Sequence, residues 1–191
     1  MARPREFDRN DVLEKAMQVF WTKGYERTSV RDLVAATGIN RGSMYDTFGD
    51  KKALYLSSLE HYCSGEKRLA PARSNGESGM NAIRRIFEAV AAAGPQARKR
   101  GCFISNTIAE FGSHGSAISQ TARYGVERTE AAFAQLVSQA QVTGDIRRDH
   151  DPHVLARYLT SSLNGLRLMA KADKDRADLD GIVEVTLSTL G

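Results

Sequence analysis

Between Thr28 and Lys52 the chain reads TSVRDLVAATGINRGSMYDTFGDKK, and two of the three glycines inside this stretch, Gly38 and Gly49, constrain the fold more than any other feature. Gly38 and Gly49 cut it into two segments, one starting at Thr28 and one running from Arg41 to Phe48. Each is too short to persist as an isolated helix in water. Each nevertheless carries apolar residues at helical spacing: Val30, Leu33 and Val34 in the first, Met44 and Phe48 in the second. Two such helices joined by Thr37-Gly38-Ile39-Asn40 must pack on a neighbour, and the preceding residues supply one. Val12, Ala16 and Phe20, with Leu13 and Met17, form an apolar stripe. Asp8 is placed to cap that helix, and Gly24 to end it after Lys23. Gly49 and Asp50 then break and recap the chain before a fourth helix that runs from Lys51 past Cys63, with Tyr55, Leu56, Leu59, Tyr62 and Cys63 as its stripe.

Two short helices around a glycine turn also occur as plain helical hairpins, so position must decide the function. With Met44 and Phe48 turned inward, the third helix exposes Arg41, Gly42, Ser43, Tyr45 and Thr47. A short helix with small and polar groups outward can enter a major groove while its partner helix holds it there. Gly42 is a poor helix former, but it leaves room for a close approach of a DNA backbone. Lys51 and Lys52 sit at a helix N-terminus, where the macrodipole opposes positive charge. That placement suits a phosphate docking on the same N–H groups. Thr28, at a helix start, can cap and can reach a phosphate. Net charge is +4, but residues 1–52 hold ten Lys and Arg against eight Asp and Glu. The case for DNA therefore rests on these positions rather than on bulk charge. Arg3 and Arg5 form a short basic arm ahead of the first helix, either a solvated tail or a strand that settles along DNA, as in a minor groove.

The same run resembles the DNA-binding segment of the TetR family nearly position for position, over roughly residues 8–60. Characteristic there are the turn glycine, the tyrosine late in the third helix, the phenylalanine after it and the lysine opening the fourth helix, matched by Gly38, Tyr45, Phe48 and Lys51. The resemblance implies phosphate contacts from Thr28, Ser43, Tyr45, Thr47 and Lys51, and base-edge approach by Arg41 and Gly42; Asn40, just ahead of them, joins the DNA-binding set. Asp46 departs from the pattern, since many relatives carry an aromatic residue or histidine there. A carboxylate cannot pair with phosphate, so it accepts from a cytosine amino group or points away.

The rest of the 191 residues reads as helix throughout. Turn-rich residues 70–79 form a loop, followed by a helix with Met80, Ile83, Phe87 and Val90 on one side, ended by Gly94-Pro95. The basic cluster Arg98-Lys99-Arg100 precedes Gly101 and a short helix from Cys102 to Phe111, and a long helix covers about 116–142. Asp151-Pro152 caps and opens the next helix, with Leu155, Tyr158, Leu159, Ser162, Leu166 and Met169. The last helix is apolar on more than one stripe, through Leu179, Ile182, Val183, Val185, Leu187 and Leu190. A monomer hides one stripe, so a second copy is the expected cover. Ser161, Ser162 and Gly165 permit close helix packing there; deep burial in one core is the alternative. Asn106 and Glu110, among Phe87, Cys102, Phe103, Phe111, Tyr124 and Tyr158, form a candidate ligand pocket, or else ordinary core with solvated edges. Cys102 follows a cationic cluster at a helix start, which favours thiolate and an electrophile- or oxidant-sensing role; a small hydrophobe packed in the core is the other reading.

No nucleotide-binding, hydrolase or zinc spacing is present, so neither an enzyme, a cofactor nor a metal is expected. Two cysteines make no disulfide framework. The N-terminus lacks a signal-peptide core, and no apolar run reaches the length of a membrane span, so a cytoplasmic protein without membrane association is expected. The fold expected is all-α: a DNA-binding head with a helix-turn-helix over 1–50 and a helical ligand-binding and dimerisation domain over 51–191. The function expected is a ligand- or redox-responsive repressor that binds a near-palindromic double-stranded operator as a homodimer and is released by a small-molecule or electrophile inducer. An activator, or a helical enzyme with an accessory DNA-binding head, is the alternative.

Overall fold

A computed structural model describes residues 7–64, 77–112 and 115–191. Among them all regular structure is helical: α1 (Arg9–Lys23), α2 (Val30–Thr37), α3 (Arg41–Phe48), α4 (Lys51–Ser64), α5 (Gly79–Ala91), α6 (Pro95–Arg100), α7 (Phe103–Phe111), α8 (Ala117–Thr143), α9 (Pro152–Lys171) and α10 (Arg176–Ser188). Described residues of 1–65 and 106–122 form one compact unit, and those of 66–105 and 123–191 a second. α7 and α8 each begin in one unit and end in the other.

In the first unit α1 is the spine. Asp8 caps it by accepting the Asn10 N–H at 2.7 Å, and Gly24 terminates it at φ +80°, a conformation that favours glycine. Val12, Leu13, Ala16, Met17 and Phe20 are buried against α2 and α4, as the stripe required. On α4 the burial differs from expectation. Leu54 and Ser58 are fully buried, whereas Leu56 and Tyr62 are only partly covered. The stripe is rotated by about one residue, because the Ser58 hydroxyl donates to the Leu54 carbonyl at 2.7 Å and so enters the core at little cost.

The second unit is built on α5, α8, α9 and α10. Its core runs from Ile83, Ile86 and Phe87 through Phe133 and Val137 to Leu159, Leu163, Leu179 and Val183. Gly79 opens α5 where any Cβ would collide with the Leu136 carbonyl of α8, so glycine sets the helix approach. Met80 and Val90 flank this core rather than fill it. The basic cluster 98–100 proves to be the end of a short helix, α6, with Pro95 at its first position. On α10, Leu179, Val183, Thr186 and Leu187 face inward, while Val185 is 65% exposed.

Candidate nucleic-acid interface

The interface is set by three consecutive caps. α2 begins at Val30, two residues later than the sequence suggests, and Ser29, not Thr28, is its cap, in a reciprocal box with Asp32. Ser29 Oγ accepts the Asp32 N–H at 3.1 Å, and Asp32 accepts the Ser29 N–H at 3.0 Å. A hydrogen bond from Lys23 Nζ at 2.7 Å, then the Ser29 backbone and hydroxyl donors, hold the Asp32 carboxyl well below the usual carboxylate range. Gly38 closes α2 in the left-handed conformation at φ +74°, returning its N–H to the Val34 carbonyl. Asn40 then caps α3, its side chain accepting the Ser43 N–H at 2.9 Å. Asp50 caps α4 by accepting the Ala53 N–H at 2.7 Å, which lowers the electrostatic cost of Lys51 and Lys52 beside that terminus.

α3 is therefore held rigidly by its ends and by buried Met44 and Phe48. Arg41 and Gly42 are exposed at its N-terminus, and Ser43, Tyr45 and Thr47 are half-buried. The Arg41 guanidinium lies over the Tyr45 ring at 5.3 Å. A Cβ on Gly42 would meet Asn40 Oδ1 at 3.3 Å, so glycine keeps the cap unstrained as well as the surface open. Thr47 Oγ1 finds no hydrogen-bond partner among the described residues. Asp46 is exposed.

Thr28 departs from its expected role. It is 1% exposed, and its hydroxyl donates to the Gly24 carbonyl at 2.6 Å. Lys51 Nζ stands 4.2 Å from the Tyr25 ring centroid. Tyr25 was not singled out by the sequence, yet it organises this corner. Its ring meets Phe20, Tyr55 and Phe111, and its N–H donates to both carboxylate oxygens of Glu110 at 3.1 and 3.0 Å. Burial, with Asp50 and Glu26 adding to it, raises the Tyr25 phenol, so it stays neutral. The signal is an 85-residue separation between Tyr25 and Glu110, which no local pattern reports. The basic arm of Arg3 and Arg5 and most of loop 70–79 lie outside the described residues.

The expected ligand residues are divided between the two compact units. Asn106, Glu110 and Phe111 belong to the first unit, where Glu110 is committed to Tyr25 and Phe111 to the Tyr25 and Tyr55 rings. Phe87, Cys102, Phe103, Tyr124 and Tyr158 belong to the second. Phe87 and Phe103 are buried, whereas Tyr124 and Tyr158 are 55% and 40% exposed. Regular spacing put all of these on helices without saying which unit each half of α7 and α8 would join. Cys102 is buried just ahead of α7, and both cysteines are free thiols. Of the neighbouring cations, Arg98 is spent on the carbonyls of Ala91 and Ala93. The second unit has a surface groove of about 830 Å³ between α5 and α10, bordered by Arg84, Arg85, Glu88, Val183 and Leu187; none of the eight expected ligand residues lines it. Among the described residues no three His, Cys, Asp or Glu could together hold a metal, and no helix is long and apolar enough to cross a membrane.

A capped, glycine-turned helix pair that presents a short polar helix is a helix-turn-helix DNA-binding unit. Residues 12–57 match the family described as bacterial regulatory proteins, tetR family, and residues 79–185 match the tetracyclin repressor-like C-terminal domain. The chain belongs to the TetR family of bacterial regulatory proteins. It is similar to YezE of Bacillus subtilis (strain 168), an uncharacterized HTH-type transcriptional regulator, at 36% identity over 100% of both chains. It is also similar to the HTH-type transcriptional repressor ComR of Escherichia coli (strain K12), at 30% identity over 98% of this chain and 90% of that one. Among solved structures, a cysteine mutant of the TetR-family regulator CifR bound to 26-base-pair double-strand operator DNA superposes with a TM-score of 0.80, at 28% identity over 100% of both chains.

Proposed function

We propose that this protein is a transcriptional repressor that binds a near-palindromic duplex as a homodimer and is released when its C-terminal region is altered by a small molecule or an electrophile. The observation that carries the reading is α3: capped at Asn40, anchored by Met44 and Phe48, and presenting Arg41 and Gly42 at an exposed N-terminus. In this reading Arg41 and Gly42 approach base edges, while Ser43, Tyr45, Thr47 and Lys51 hold phosphates. Asn40 fixes the helix that presents them. Residues 1–50, joined by Lys51 at the opening of α4, carry DNA recognition and residues 51–191 otherwise regulation and dimerisation, and the protein works in the cytoplasm without a catalytic role.

Support for the dimer comes from an outward stripe on α9. Val154, Tyr158, Ser161, Gly165 and Leu168 follow one another by four and three residues, the spacing of a helix seam. All five are exposed, with Val154 at 53% and Leu168 at 60%. Val185 of α10 is likewise outward. A two-fold dimer would cover such a surface and match an operator of two half-sites. Phe87, Cys102 and Phe103, all buried in the second unit, are retained as candidate contacts for the inducer.

Footprinting on the DNA upstream of its own gene tests the reading. One protected, near-palindromic stretch is expected, lost when the inducing compound or oxidant is added. Protection no stronger than on unrelated DNA at the same salt would refute it.

A further inference from the structure

We infer that Glu110 is a positioning residue for DNA binding, a clamp through which α7 sets the α1–α2 turn and, with it, the Tyr25 ring and the Lys51 ammonium. The inference rests on the reading that α3 and Lys51 face DNA. It assigns to Glu110 a role distinct from ligand binding.

Four observations converge on it. Both carboxylate oxygens take the Tyr25 N–H, the donor left over after Gly24 N–H has gone to Phe20 and before Thr28 N–H returns to Tyr25. A carboxylate–amide bond of this kind is a charge-assisted one. Second, the carboxylate occupies the space that Gly24 leaves vacant: a Cβ there would stand 2.5 Å from Glu110 Oε1. Third, the carboxylate lies at the C-terminal end of α1, where the macrodipole disfavours an anion. Helix stability alone does not select a glutamate at this place; holding the turn does. Fourth, two neighbours on α7 grip the same corner. The Thr107 hydroxyl is 2.8 Å from the fully buried Tyr55 hydroxyl of α4, and the Phe111 ring lies 5.1 Å from that of Tyr25.

The consequence follows from covalent continuity. α7 is one helix, Phe103–Phe111, and its first residues belong to the second unit while Asn106 onward belong to the first. A helix transmits displacement along its axis because its backbone hydrogen bonds resist stretching. A shift imposed at Phe103 therefore reaches Tyr25 through Glu110. The Lys51 ammonium, seated on the Tyr25 ring, moves with it. Residues 24–28 lead directly into the Ser29 cap of α2, so the same shift re-aims the helix pair.

The test uses the full-length protein and a duplex it selects from a random pool. Glu110→Ala should weaken binding to that duplex by about tenfold or more, the effect of losing a charged hydrogen bond. Glu110→Gln keeps an oxygen acceptor at the same reach and should stay within about threefold of wild type, whereas Glu110→Asp, one methylene short, should behave like alanine. A merely structural role would not move the coupling to Lys51. In the Glu110→Ala background, Lys51→Ala should cost clearly less than it does in wild type. Amide exchange supplies an arm that needs no DNA: the Tyr25 N–H should be protected in wild type and Glu110→Gln and exchange freely in Glu110→Ala. If Glu110→Ala fails to fold, the glutamine and aspartate variants decide. Equal affinity in all variants, an undiminished Lys51→Ala effect, or an unprotected Tyr25 amide in wild type would overturn the clamp. A wild-type protein that selects no duplex while its Tyr25 amide is protected only through Glu110 would overturn the repressor reading instead.

Discussion

Lys51→Ala separates phosphate contact from mere surface charge, and the structure supplies its own control. Lys51 Nζ rests on the Tyr25 ring and has no ion-pair partner among the described residues, so its charge is available to a phosphate. Lys23, at the other end of the same corner, is committed to Asp32 at 2.7 Å. Each phosphate neutralised on B-DNA contributes about 0.9 to the slope of log K against log salt. A dimer carries two copies of Lys51, so its removal should flatten the slope by about 1.8. Lys23→Ala should leave the slope unchanged while weakening the Asp32 capping box. The assay is equilibrium binding by fluorescence anisotropy from low to physiological salt, on the selected duplex and on a scrambled one. The Lys51 effect should be the same on both, because phosphate contacts carry no sequence information. An unchanged slope for Lys51→Ala, or an equal flattening for Lys23→Ala, would refute the assignment.

Gly79→Ala places a methyl group against the Leu136 carbonyl and should destabilise the protein by about 1–3 kcal/mol, read by urea unfolding, despite alanine's better helix propensity. Asp32 has a folded pKa below its unfolded value, so the stability it contributes is present above the ordinary carboxylate pKa of about 3.9 and is lost as pH falls below it toward the depressed value. Asp32→Asn should flatten the acid limb of a pH–stability profile, and an unaltered limb would count against the capping box. Leu168→Glu puts a charge in the α9 stripe and should turn dimers into folded monomers in sedimentation, with operator affinity falling in step.

Much of the first unit was legible because its signals are local. Asp8, Gly24, Gly38, Gly49 and the apolar anchors Met44 and Phe48 act within one or two turns of chain, and the α3 limits follow from them. Thr28 and Ser29 show the limit of that reading. Both are good caps, and only the depth of the turn decides that Ser29 reaches Asp32 while Thr28 turns inward. The missed α6 has no buried residue, so no hydrophobic period announced it. The grouping of the ligand residues is harder to read from sequence for a different reason. Phe103, Asn106 and Glu110 share a face of one helix, but that helix crosses from one compact unit to the other, and periodicity carries no information about which partner each turn meets. Tyr124 and Tyr158 were grouped with core aromatics by type alone, and their exposure depends on which side of α8 and α9 faces the interior.

The most direct measurement is a comparison of the sequences selected from a random duplex pool by wild type and by Arg41→Ala. The wild type should recover two inverted half-sites, one per protomer, with a strongly preferred base at the same place in each. Arg41→Ala should keep the half-site arrangement, lose preference at that base pair, and bind the original duplex more weakly by about 1–3 kcal/mol, the worth of a bidentate contact to guanine. A wild-type pool without inverted half-sites, or an Arg41→Ala pool with the same preference at every position, would contradict the claim that α3 reads the operator.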